Sequence, residues 1–494
     1  MGLTRACAWS QAGSIRMIAR ELTTAEKTSP SALLNRLRES TVVWSWVFNG
    51  FRLASGLILL PLILAKLSTP DLGMYYVLLS LWAIVPLVDF GFGPTIGRFV
   101  SYAMGGADEI QAQGVARPGK SLDPNYPLLW ELLFTTRSLY RYLTLVLFVV
   151  LGAWGTYTIE LRVQETTSPL VTRLAWLVTL VAACFEIYAG WWGVFLRSMN
   201  EVMAATRIAV LGIVIRLVAA AGLLVCGVGL LSLPIGSFLG IIIQRHLSSR
   251  RCRELLQRHS TPEAVDVSKY LRILWPNTWR LGMQFLSGYL TVNANTALCL
   301  HVYGLNANAQ YGLSVQLVAI ITGMAAVWTS VKWPLIGQCQ ARQDLLGMQR
   351  ILQPRVWLQT FTFLGGCGAL LVIGPWLLHW LGGSKEMLPL GWLALLMLNA
   401  FLEMQFVLWG TLLSLENRLV YLWPTVATNI LSLVFSFIFV HFSSLGLGGL
   451  VLGPLFAGLL FNYWYWPPYA ARRLGTTLLH LLLKGPSQSA KRLG

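Results

Sequence analysis

Two arginines interrupt long apolar stretches of this sequence at matching places, Asn49-Gly50-Phe51-Arg52-Leu53 and Asn277-Thr278-Trp279-Arg280-Leu281. An ionisable side chain at the centre of a membrane costs about 2.5–3.5 kcal/mol on insertion scales, so it faces a cavity or a partner. A guanidinium suits an anionic group, because its planar fork meets a phosphate bidentately. Snorkelling to the membrane surface is the competing reading. The same two readings apply to Arg98 and Lys332, at the ends of two further apolar stretches. With Asn49 and Asn277 from the matched pentads, these four cations form the candidate set for an anionic ligand.

A second set is acidic. Glu186 and Glu403 stand in the middle of apolar stretches, as does Arg216. One reading is a Glu186–Arg216 pair that ties neighbouring helices. The other is a carboxylate that titrates and carries a proton or cation. Asp89 precedes Phe90-Gly91-Phe92-Gly93-Pro94, where a helix should loosen. A broken helix at a charged residue marks either a binding site or a bend at the membrane edge. No sequence signature of a catalyst accompanies these residues. There is no GxxxxGK[ST] phosphate loop, no HExxH and no acidic DxD-type cluster, and the six histidines have no ligand spacing. The seven cysteines contain no CxxC pair, so no metal, cofactor or disulfide framework is expected.

The elements that must position these residues follow from composition. Of 494 residues, 55% are hydrophobic and 12% charged, with a mean hydropathy of +0.62. Soluble domains carry about twice that share of charge, so the chain belongs to the membrane class. Its net charge of +17 needs no nucleic acid, because basic residues concentrate in cytoplasmic loops. Residues Met1 to Glu39 hold no apolar core of a cleavable signal. The first apolar run is therefore expected to stay in the membrane and direct insertion.

Stretches of about 20 apolar residues give twelve expected spans. They are Val42–Ala65, Gly73–Ile96, Leu139–Tyr157, Leu174–Leu196, Thr206–Cys226, Val228–Ile243, Ile273–Cys299, Gln310–Val331, Trp357–Trp380, Leu388–Leu413, Val420–Val440 and Leu447–Trp466. With the N-terminus in the cytoplasm, 30 of the 37 Lys/Arg fall on the cytoplasmic side, and only Lys66, Arg162, Arg173 and Lys385 fall outside. Arg52, Arg216 and Arg280 remain inside spans. Both termini are then cytoplasmic. The 21 tryptophans, among them Trp191, Trp192, Trp464 and Trp466, are expected in aromatic belts at span ends.

Six spans in, the pattern repeats. Beyond the arginine pentads, Thr95-Ile96-Gly97-Arg98-Phe99 parallels Thr329-Ser330-Val331-Lys332-Trp333. Glu186, Gly193 and Asn200 recur at equal spacing as Glu403, Gly410 and Asn417, and Gly229, Leu230 and Pro234 recur as Gly449, Leu450 and Pro454. An even number of spans per repeat gives two like-oriented halves. Repeats of this kind house sites at their interface and rock to give alternating access. The expected organisation is an N-terminal extension (1–40), a six-helix bundle (41–246), a basic linker (247–272), a second six-helix bundle (273–467) and a basic tail (468–494).

The stretch Leu57 to Glu109 carries a more specific signal: Pro61, then Leu72-Gly73-Met74-Tyr75, Asp89-Phe90-Gly91, Arg98-Phe99 and Gly105-Gly106. Ala309-Gln310-Tyr311-Gly312-Leu313 is similar in outline in the second half. In these features the chain resembles the polysaccharide-transporter (O-antigen flippase) family of the multidrug/oligosaccharidyl-lipid/polysaccharide (MOP) exporter superfamily. The resemblance implies an all-α polytopic fold of about twelve helices in two MATE-like six-helix bundles around a cationic cavity. It implies flipping of an undecaprenyl-pyrophosphate-linked oligosaccharide across the inner membrane, with Arg52, Arg98 and Arg280 on the pyrophosphate and acidic sugars. Membrane lipids, a polysaccharide polymerase and chain-length proteins are the further partners it implies. A cation-coupled drug or metabolite exporter of the same superfamily is the alternative, and it requires an acidic, apolar pocket.

Overall fold

A computed structural model describes residues 41–110, 117–118, 123–256, 267–341, 344–382, 385–414 and 421–483. The expected N-terminal extension, the centre of the linker and the end of the basic tail lie outside the described residues. The first half comprises α1 (Thr41–Lys66), α2 (Thr69–Trp82), α3 (Val85–Asp89), α4 (Phe92–Met104), α5 (Tyr126–Glu160), α6 (Pro169–Ser198), α7 (Val202–Val225) and α8 (Ser232–Leu256). The second comprises α9 (Val267–Val292), α10 (Ala294–Ser330), α11 (Trp333–Ala341), α12 (Leu345–Gly382), α13 (Leu390–Ser414), α14 (Leu422–Phe442), α15 (Gly448–Leu460), α16 (Asn462–Arg473) and α17 (Leu478–Leu483). A short antiparallel ladder, β1 (Ala107–Glu109) with β2 (Arg117–Pro118), follows α4.

Among the described residues, nine helices are long and apolar enough to cross a membrane. Adding α1, the pass formed by α9, and the pair α15–α16 gives the twelve expected passes. Helices suit this solvent because every backbone N–H and C=O is satisfied within the segment. The second pass is broken where the glycines announced it. Phe90 (φ 47°) and Gly91 (φ 80°) adopt left-handed backbone between α3 and α4. The seventh and eighth passes meet at Gly304 (φ 79°), so the expected outer loop between Cys299 and Gln310 shrinks to a single break inside α10.

Several helices outrun their apolar stretches. α5 begins thirteen residues before Leu139, and α8 carries helix to Leu256, well into the expected linker. Ser68 caps α2 by accepting from the Asp71 amide (3.3 Å), and Asn125 caps α5 by accepting from Leu128 (3.1 Å). The aromatic-belt expectation fails for Trp191 and Trp466. Both are buried in the protein, donating to the Tyr188 carbonyl and the Asn462 amide oxygen. Trp464 is exposed as expected, and Trp192 stacks on Trp191 with ring centres 4.0 Å apart.

The packing repeats as the sequence does. In the first half α1 lies on α7, α7 on α8 and α6 on α8. In the second, α9 lies on α14, α14 on α15, and α13 on α15 and α16. Small residues bring the paired backbones together: a Cβ at Gly240 would fall 2.6 Å from the Gly212 carbonyl oxygen, and one at Gly453 would fall 2.6 Å from the Ser436 nitrogen.

The halves are joined along α2 and α10. Asn308 donates to the Gly73 carbonyl (2.9 Å), Tyr76 donates to Gln316 (2.7 Å), and Gly312 lies against the Tyr76 ring. At the same end Arg162 donates to the His301 carbonyl (3.1 Å), Glu165 accepts from the Leu305 amide (3.3 Å), and Lys385 donates to the Leu64 carbonyl. Burial holds the Lys385 ammonium below the usual lysine range. At the opposite end Tyr270 donates to Glu131, and Trp275 stacks on Phe90 with ring centres 6.3 Å apart.

Gly73 has no room for a side chain, because a Cβ would overlap the Leu305 backbone. Gly73→Val is expected to destabilise the seam by about 1–3 kcal/mol. Its apparent melting temperature in detergent should fall by several degrees, and an unchanged melt would show that this contact is not close-packed.

Candidate functional site

Each half encloses a cavity, and the two occupy equivalent places in the repeat. The first, of about 290 Å³, is walled by α2, α6, α7 and α8 and includes Tyr75, Glu186, Arg216 and Pro234. The second, of about 490 Å³, is walled mainly by α10, α13 and α15 and includes Tyr311, Glu403 and Pro454. Glu186 with Glu403, and Pro234 with Pro454, are pairs matched in the sequence repeat.

Their electrostatics differ. Glu186 on α6 is held by Arg245 on α8. Two guanidinium nitrogens meet its two carboxylate oxygens, Nε at 3.2 Å and Nη2 closer, while Nη1 donates to the Gly190 carbonyl (3.3 Å). This fork geometry is the strong form of the interaction. The expected Glu186–Arg216 pairing is therefore corrected. Arg245 had counted as a loop residue because apolar length alone ends that span at Ile243, whereas α8 continues past it and turns Arg245 back onto α6. Arg216 instead reaches Ser55 on α1 at 3.4 Å.

In the second half, Glu403 has no ion-pair partner among the described residues. The wall of its cavity there contains no Lys or Arg. A smaller cavity of about 200 Å³ lies on the other side of Glu403, with Thr425, Asn429, Ser432 and Tyr463 in its wall. Tyr463 donates to Asn399 (2.8 Å), fixing the rim beside the carboxylate. Neither Tyr463 nor Asn399 stood out in the sequence, since tyrosine and asparagine in apolar helices carry no periodic or charge signal.

Asp89 serves the bend. Tyr140 donates to one carboxylate oxygen and the Gly93 amide donates to the other (3.1 Å), so the side chain caps α4 across the left-handed turn. Arg98 is exposed, with its guanidinium 5.8 Å from the centre of the Phe99 ring. Lys332 is half-buried at the junction of α10 and α11, its amide donating to the Thr329 carbonyl (2.9 Å). The backbones of Asn49 and Arg52 lie in α1 and those of Asn277 and Arg280 in α9. Their side chains lie outside the described ones.

The helices that carry them are informative. α1, of the first half, touches α10 and α12 of the second, and α9, of the second half, touches α3, α4 and α5 of the first. Each arginine-bearing helix thus lies where one half meets the other.

The carboxylate pairing can be measured by double-mutant cycles on folding stability. Glu186→Gln with Arg245→Gln should show a coupling of about 1–3 kcal/mol, the range for groups in direct contact. Glu186→Gln with Arg216→Gln should be additive within about 0.5 kcal/mol. The reverse pattern would restore the pairing suggested by sequence.

No protein-family model and no curated protein sequence matches the chain. Solved structures do. An inward-facing conformation of a multidrug-resistance MATE-family transporter of the MOP superfamily aligns with a TM-score of 0.62 at 14% identity, covering 88% of this chain and 98% of that one. An outward-facing conformation of a transporter of the same kind aligns with a TM-score of 0.53 at 14% identity, covering 89% and 95%. A MOP-superfamily transporter from Pyrococcus furiosus, for which a reversed polarity of the binding pocket was taken to suggest a different function, aligns with a TM-score of 0.53 at 14% identity, covering 92% and 97%. The chain is a polytopic all-α membrane protein with the fold of these MATE and MOP transporters.

Proposed function

We propose that the protein is an alternating-access transporter of the inner membrane that flips an undecaprenyl-pyrophosphate-linked oligosaccharide for surface polysaccharide assembly. One observation carries this reading: Arg52 and Arg280, matched in the repeat, stand on α1 and α9, each of which packs against helices of the other half. Each half thus contributes an arginine-bearing helix to the interface, and guanidinium is the side-chain group best suited to a phosphate-bearing passenger. Arg98 and Lys332 extend the basic path toward the cytoplasmic ends, with both termini on that side. In the cycle, the α2–α10 seam parts while the contacts of α9 with α3, α4 and α5 hold the halves together at the opposite end. Glu403 is the coupling carboxylate, because it lines a mostly apolar cavity and has no ion-pair partner among the described residues, so a proton or cation is its natural counterpart.

A second reading has its own support. The cavity around Glu403 is acidic and mostly apolar, which suits a cation-coupled exporter of organic cations or metabolites.

Proteoliposomes separate the two. The protein is expected to move a fluorescent undecaprenyl-pyrophosphate oligosaccharide between leaflets. Arg52→Ala and Arg280→Ala should each lower the rate roughly tenfold or more, as the loss of a charge-assisted hydrogen bond implies, and Glu403→Gln should abolish the response to an imposed proton or sodium gradient. Uptake of an ethidium-like cation with no movement of the glycolipid would favour the exporter. Full flipping by both arginine variants would remove the arginines from the site.

A further inference from the structure

The two intrabundle cavities are related by the repeat yet opposite in charge, and the first has an excess cation. Its carboxylate, Glu186, has both oxygens engaged by Arg245. Arg216 also stands in its wall, and among the described residues Glu186 is the only carboxylate lining the cavity. The backbone around Arg216 is fixed: a Cβ at Gly236 would fall 2.8 Å from its carbonyl oxygen, and one at Gly240 would fall 3.1 Å from its Cβ. α7 and α8 are therefore close-packed at the turn that carries Arg216. Its contact with Ser55, at 3.4 Å, is long for a hydrogen bond and brings no negative charge.

An unpaired guanidinium inside a bilayer is costly, and a counter-charge relieves that cost. The same cavity offers further donors. Ser237, Gln244 and Trp82 line it, and none of the three makes a side-chain hydrogen bond among the described residues. Surplus charge and uncommitted donors facing one space define the chemistry that would fill it. We propose that this cavity binds a small monovalent anion, a halide or a simple carboxylate, against Arg216. One surplus positive charge matches one negative charge. A dianion would bring a second charge close to Glu186 with nothing to offset it. The volume of about 290 Å³ admits chloride or acetate with water, and excludes a lipid-linked glycan. The site is therefore distinct from the path proposed for the passenger, and its existence does not depend on what the transporter carries.

The test is equilibrium binding of radioactive chloride and radioactive acetate to the purified full-length protein, with sodium sulfate holding ionic strength constant. Saturable binding of chloride, of acetate or of both is expected, without displacement by sulfate. Arg216→Gln should weaken it by at least about tenfold, the effect of removing a charged hydrogen-bond donor. Competition between the two ligands identifies the source: acetate that displaces chloride places both in one site, and chloride indifferent to acetate restricts the site to halides. Either outcome upholds the proposal. No saturable binding of either anion, or equal binding by R216Q, overturns it. Should R216Q fail to fold, R216K and the cavity-filling Ser237→Leu are measured in its place. Weaker binding in either upholds the proposal, and unchanged binding in both overturns it.

Discussion

Within a bilayer, a buried charge has to be answered from inside the protein, because water is not there to do it. That constraint explains most of the polar geometry in this molecule. Glu186 is answered by Arg245 through a two-point contact across α6 and α8. Asp89 is answered by a tyrosine hydroxyl and a backbone amide, and the left-handed turn at Phe90 and Gly91 is what brings that amide to it. Where no charged answer stands among the described residues, as at Glu403 and Arg216, the side chain faces a cavity. Such places are where a mobile ion or a passenger can take part.

The same constraint shapes the join between the halves. Their seam along α2 and α10 is built from backbone proximity at Gly73, neutral hydrogen bonds from Asn308 and Tyr76, and a polar cluster at the helix ends. Neutral contacts of this kind can be broken and remade without stranding a charge in hydrocarbon. The opposite end is joined by other elements, α9 with α3, α4 and α5.

Much of this was legible in the residues. The nine helices of membrane-crossing length found among the described residues follow from apolar length, and the placement of Lys and Arg with the repeated motifs points to two halves. The break at Asp89 was written in the glycines after it, and the turn between the fifth and sixth passes falls at Gly227 and Gly229, both at positive φ. What stayed hidden has physical reasons. Helices such as α5 and α8 extend into amphipathic segments, and a rule based on apolar length stops at their first charges. That rule leaves Arg245 out of the span, so Arg216 is the intramembrane cation it offers for a pair with Glu186, beside the reading of a titrating carboxylate. The repeat points to equivalent positions for Glu186 and Glu403 but does not show their different surroundings, because among the described residues only Glu186 has a basic partner. Nor does span counting reveal that Trp191 and Trp466 turn inward, since a tryptophan near a helix end has the same sequence signature in either setting.

The central claim is that the α2–α10 seam opens during transport. Thr69 and Asn306 both line a cavity of about 500 Å³ at the end of that seam, so cysteines placed at both, in a protein whose native cysteines are replaced, can be bridged by a bis-maleimide of matched length. The account predicts that the bridged protein stays folded but stops moving its passenger across proteoliposome membranes, while either single-cysteine protein treated the same way remains active. Undiminished transport by the bridged protein would contradict it.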